Sequence, residues 1–158
     1  MNSSRESLLQ PSLGDADPPP AAPYSVQTSF LSGFFGGPFA AIGMLAINSF
    51  RLRRVARDTP VWIAILASVL IGAWALYHTA PGADALARFN EQFGAGSLRY
   101  AYRIIALLIV GMGYLLHRRE QRNSDLLGLP RPNGWIPGII CTVGGIALLT
   151  VLKATLAR

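Results

Sequence analysis

The chain has 158 residues, of which 51% are hydrophobic and 14% charged, where a soluble domain carries roughly a quarter charged residues. That length suits one compact unit, and the shortage of charge argues against a soluble fold. The net charge of +6 does not mark a nucleic-acid binder, because most of the arginines stand in short runs at the ends of apolar segments, where membrane topology places them. A single cysteine, Cys141, excludes an internal disulfide and a cysteine-built metal cluster.

Asp, Glu, Lys and Arg are missing from four stretches, Pro18–Phe50, Thr59–Ala83, Ile104–His117 and Pro132–Leu152, of which the first is the longest and the third the shortest. About 20 apolar residues at ~1.5 Å rise cross a ~30 Å hydrocarbon core, and none of these segments has a polar face. The expectation is an all-α polytopic membrane protein. A disordered Pro-rich tail covers residues 1–27, and a domain over 28–158 carries four transmembrane helices near 29–50, 60–78, 98–116 and 135–153.

The tail holds Pro18-Pro19-Pro20 and Pro23 and few large apolar residues, a composition that cannot build a core. The first apolar stretch begins too late and runs too long for the h-region of a signal peptide. Within the first helix, Ser29, Gly33, Gly37 and Ala41 recur at spacings of four, which makes a groove where a second backbone packs closely. Pro38 removes one backbone hydrogen bond and should kink this helix near Phe34, with Gly36 and Gly37 easing the bend. Asn48, near the end of the helix, is expected to bond backbone or a neighbouring helix.

The second helix opens with Thr59 as cap and Pro60 at the first helical position. Ala64, Ser68 and Gly72 repeat the spacing of four, so the small-residue faces of the first two helices are expected to meet. In the connection Ala80–Ser97, the positions of Leu86, Phe89 and Phe93 predict a short amphipathic helix on the membrane surface. Arg103 lies about five residues inside the third helix, or ~7 Å along the axis. Arg99 precedes it by one turn on the same face, with Tyr100 and Tyr102 at interfacial depth. This group reads as an interfacial belt, with a contact of Arg99 and Arg103 to an anionic headgroup or solute as the alternative. In the fourth helix Trp135 is an interface anchor, Pro137 falls in the first turn, and Gly138, Thr142, Gly144 and Gly145 form another close-packing surface.

Arg51, Arg53, Arg54 and Arg57 in one loop and Arg118, Arg119, Arg122 and Arg131 in another give eight cations, against at most six for the tail, the 80–97 connection and the C-terminal end. With four crossings the positive-inside rule puts both basic loops in the cytoplasm and both termini outside the cell's inner membrane.

Reactive chemistry finds little support. None of the four stretches contains the Asp or Glu that proton-coupled carriers use. His78 and His117 end their helices at opposite membrane faces, too far apart to ligate one haem, and read as interfacial residues. Cys141 lacks a CxxC partner and sits in an apolar helix, where a thiol is inert. The Ser and Thr of the membrane segments have no base in reach, and neither glycine pair fits a phosphate loop. No catalytic, cofactor-binding or metal-ligating set emerges. The partners expected are membrane lipids and a second copy or another membrane protein, with no nucleic acid.

Tyr24-Ser25-Val26-Gln27, then Phe35-Gly36-Gly37-Pro38-Phe39-Ala40-Ala41, then Asn48-Ser49-Phe50-Arg51 resemble a group of small bacterial inner-membrane proteins. Their pattern is a Tyr-Ser-x-x-Gln opening, Phe-x-Gly-Gly-Pro-x-Ala, then Asn and a basic cluster. Gln27 comes one residue early for that opening, and the long Pro-rich tail departs from the group's short start. Gly134-Trp135 matches the pair that often opens the group's last helix. The likeness is close from Tyr24 to Arg51 and covers the remainder only in layout. It implies a bacterial source, four helices, and one structural unit made by Gly36, Gly37, Pro38 and Asn48; the group has no assigned activity. The expected function is a non-enzymatic component that works by helix packing and assembly. Binding or transport of an anionic lipid or small solute as an oligomer is the alternative, because broken helices line solute sites.

Overall fold

The computed structural model describes residues 22–94 and 96–156. The architecture is all-α, with α1 (Val26–Arg51), α2 (Val55–His78), α3 (Ala80–Phe93), α4 (Ser97–Leu126) and α5 (Trp135–Leu156). All but α3 are long and apolar enough to cross a membrane. The outward sides of α2, α4 and α5 carry Ile71, Trp74, Leu108, Ile140 and Val143, the surface that helices facing lipid present. By these helices the chain is a multi-pass membrane protein. Residues 1–21 of the expected tail lie outside the described residues. Ala22 and Pro23 are buried, and the Ala22 carbonyl accepts a 2.6 Å hydrogen bond from Arg51 Nε, so the packed domain reaches back to residue 22 rather than starting at 28.

Helix α1 folds back on itself. Gly37, at φ 75° and ψ −165°, lies in a region open essentially to glycine alone. A straight helix would hold Tyr24 and Asn48 about 36 Å apart, yet the Tyr24 N–H donates to Asn48 Oδ1 at 2.9 Å. The Arg51 guanidinium lies 5.2 Å from the centre of the Tyr24 ring. Near the bend, a Cβ on Gly33 would stand 3.3 Å from that of Ala41. The arms Val26–Gly36 and Pro38–Arg51 therefore run antiparallel, about 16 and 21 Å long. The kink expected near Phe34 is a complete reversal at Gly37. Pro38 opens the second arm, where its missing N–H costs little, and Asn48 bonds backbone as expected. Ser25 caps the first arm by accepting from the Thr28 N–H at 3.2 Å.

The hairpin is sandwiched between α5 and α4. Against α5, a Cβ on Gly36 would lie 2.7 Å from Thr142 Cα, and one on Gly145 would lie 2.5 Å from the Gly36 carbonyl oxygen. Ser32 Oγ donates to the Gly138 carbonyl at 3.2 Å. Against α4, Gly33 faces Val110 and Ala106, and Gly113 faces Leu45. Ala41, Ile42, Leu45, Ile65, Ala106 and Ile109 form the core. The hairpin's base sits level with His117 and its tip level with Arg103, ~21 Å apart along α4.

Helix α2 departs from expectation twice. It begins at Val55, so Thr59 is internal and donates to the Val55 carbonyl at 2.6 Å instead of capping. Its small-residue face does not meet α1, and nothing lies within 4 Å of a Cβ built on Gly72. Val61, Ile65, Leu66 and Val69 turn inward instead, because branched side chains bury more apolar area than Ala64, Ser68 and Gly72 can. Helix α3 forms where expected, with Thr79 accepting from the Gly82 N–H at 3.2 Å and Leu86 and Phe89 half-buried. Helix α4 runs well past its expected end at 116, to Leu126.

Gly37→Ala should destabilise the protein by about 1–3 kcal/mol, because a Cβ is strained at this φ and ψ. Thermal unfolding in detergent should show a midpoint several degrees lower, at roughly 2–4 °C per kcal/mol.

Candidate functional site: a buried ion cluster and a cationic cleft

Polar chemistry gathers at the two ends of the hairpin. At its base, α1 ends in a tight reversal: Arg53 takes φ 54°, and Ser49 and Phe50 carbonyls accept from the N–H groups of Arg54 (2.9 Å) and Arg53 (3.1 Å). This is the Schellman pattern, and it places Arg54 one turn before Asp58 at the start of α2. Arg54 Nη1 donates to Glu120 Oε1, and its Nε lies 3.8 Å from Asp58 Oδ1. His117 Nε2 is 2.9 Å from Asp58 Oδ2. The Asp58 side chain is 0% exposed and that of His117 2%.

One expectation fails here. Hydropathy along the chain puts Asp58 in a loop and leaves the apolar segments free of acids, yet Asp58 is buried inside α2. His117, expected at an interface, is packed against it in the bundle. Asp58 is tolerated there because it carries its partner with it, and a buried charge is tolerable only when paired and hydrogen-bonded. The helical spacings of Arg54 with Asp58 and of His117 with Glu120 are visible in the sequence. The contact between α2 and α4 that joins these pairs is not. His78 closes α2, ~30 Å along the helix from Asp58, so the two histidines are as far apart as the sequence implied.

At the hairpin's tip, α4 and α5 converge on a cleft of about 360 Å³ lined by Arg99, Arg103, Tyr102, Lys153 and the tip residues Phe34 and Gly37. Arg99 and Arg103 share one face of α4, one turn apart, as expected. Lys153 joins them from the last turn of α5; it stands on a different helix from Arg103, and no sequence spacing links the two. The Arg103 guanidinium rests 4.7 Å from the Phe34 ring centre, and Lys153 Nζ lies 5.0 Å from that of Tyr102. These aromatic contacts hold the cations in place while leaving their hydrogen-bond donors free. No carboxylate lines the cleft, and none of the three cations forms an ion pair among the described residues. Of the packing residues, Gly36 and Gly37 also line the cleft, whereas Gly33, Ala41, Gly138 and Gly145 lie in other contacts within the chain, and Ala64, Ser68 and Gly72 border an open groove.

His117→Leu should destabilise the bundle by about 3–5 kcal/mol, since Asp58 then loses its hydrogen-bonded partner in a dry site. The double replacement Asp58→Leu with His117→Leu should cost less than that single one, and unfolding of the two variants in detergent checks the order.

No family model matches the chain, and no curated protein or solved structure matches it.

Proposed function

We propose that this protein binds an anionic group within the membrane, in the cleft formed by Arg99, Arg103 and Lys153 at the tip of the α1 hairpin. The observation that carries this reading is three cations from two helices facing one cavity, with no acid among the described residues to neutralise them. Cations at membrane depth are costly and stand where they have a partner. A phosphate-like group meets both planar guanidinium forks and the ammonium at once. The packing faces that motivated an assembly role are largely taken up inside the chain, which favours binding over assembly.

The hairpin also sets the orientation we propose. Neither arm, at about 16 and 21 Å, spans a ~30 Å core. Helix α1 is then re-entrant, and α2, α4 and α5 make three crossings. The N-terminal end lies with the two basic loops, and the C-terminal end lies opposite. Among the described residues, eight cations fall on the side of the hairpin's base and four on the other. The positive-inside rule puts the base in the cytoplasm. This replaces the arrangement with both termini outside, because an element that returns to its starting face removes one crossing.

Substituting Gln for Arg99, Arg103 and Lys153 together should weaken binding of a phosphate-bearing probe at least tenfold, as each charge-assisted hydrogen bond lost is worth about 1.5–3 kcal/mol. Titration of glycerol phosphate into the detergent-solubilised protein measures this, and unchanged affinity refutes the cleft. For orientation, a reporter active only outside the cytoplasm should be active after Arg158 and silent before Met1. Activity at both ends would restore a crossing to α1.

A further inference from the structure

Between α2 and α4 runs a second cavity of about 960 Å³, lined almost wholly by apolar side chains from Pro60 and Met112 at one end to Leu76 and Leu98 at the other. We infer that this groove seats an acyl chain of a phospholipid whose headgroup phosphate occupies the cationic cleft; the inference rests on the proposed anion site and names its ligand.

Four observations converge on that occupant. Tyr102 lines both cavities and so forms the wall they share. Leu98, at the groove's end, is next to Arg99, so the groove starts at the level of the cations. From Leu98 to Met112 the groove covers ~21 Å of helix axis, somewhat more than the ~15 Å half-thickness of a hydrocarbon core, which suits a chain of one leaflet. Its walls run along about four turns of each helix, from Pro60 to Leu76 on α2 and from Leu98 to Met112 on α4, an elongated shape that suits an extended chain.

Tyr102 adds a sign of a missing partner. It is 6% exposed, and its buried hydroxyl has no hydrogen-bond partner among the described residues. A buried hydroxyl left unpaired is unfavourable, and an ester or phosphate oxygen of a lipid beside it supplies an acceptor. Gly72 keeps the α2 wall open, since nothing stands within 4 Å of a Cβ placed there. A larger residue at that position projects into the groove without striking the protein.

The test compares phosphatidylglycerol retention, by native mass spectrometry after detergent extraction, with binding of glycerol phosphate, which has the phosphate and no chain. Gly72→Leu should lower lipid retention at least about tenfold, the loss of roughly two buried methylenes, and leave glycerol phosphate binding unchanged. Tyr102→Phe should lower lipid retention severalfold with the thermal midpoint kept or raised. Wild-type lipid retention in Gly72→Leu overturns the inference, as does a dimer that Gly72→Leu dissociates while the lipid stays bound. If the triple Gln variant still binds glycerol phosphate, the anion site itself fails; if it loses binding while Gly72→Leu keeps its lipid, only the chain-binding groove fails.

Discussion

Backbone that reverses direction inside a helical bundle must be held by protein on both sides, and the structure is organised around the reversal at Gly37. Lipid offers no donors or acceptors, so irregular backbone at membrane depth persists only where protein covers it. Pro38 has no N–H to satisfy. The first arm is covered by α5, whose Gly145 lets the Gly36 carbonyl approach its backbone and whose Gly138 carbonyl accepts from Ser32. The Thr142 hydroxyl, with one proton to give, donates to the Gly138 carbonyl at 2.8 Å or to Ser32 Oγ at 3.3 Å. At the open end of the hairpin, Asn48 and Arg51 bind the backbone of Tyr24 and Ala22, tying the two arms together.

The same hairpin separates two kinds of charge. At its base, Arg54 pairs with Glu120 and His117 with Asp58 across α2 and α4, and removing His117 would leave Asp58 without its hydrogen-bonded partner in a buried site. At its tip Arg103 and Lys153 have aromatic supports, and none of the three cations has a counter-ion among the described residues. Paired charges lock helices together, whereas unpaired ones leave electrostatic work for a ligand. Between the two lies a packed layer where Gly33 meets Val110 and Ala106. The polar ends are thus divided by close packing.

Much of this was legible in the residues, and the parts that were not share a cause. The starts of α4 and α5, the short amphipathic helix α3 and the neighbouring face of Arg99 and Arg103 follow from periodicity within single segments. The hairpin also left a trace. The uncharged stretch Pro18–Phe50 is longer than one span needs, and Gly36-Gly37-Pro38 is a turn signal in a soluble chain. Membrane helices tolerate Gly and Pro, so the same three residues also fit a bent span, and the local pattern does not choose. The small residues of α2 misled for a related reason: spacing defines a face but not the direction it points, and the larger branched side chains took the core.

Sequence alone determined that this is an all-helical membrane protein, where α4 and α5 begin, and which two arginines stand together at one end. Those features depend on how hydrophobicity and charge are distributed along one helix at a time. Tertiary structure decided that α1 turns back on itself at Gly37, that Asp58 is buried against His117, and that Lys153 completes the cationic cleft. Each of these joins residues whose separation in the chain is set by loops and helix lengths, and only packing brings them within reach of a hydrogen bond or a shared cavity.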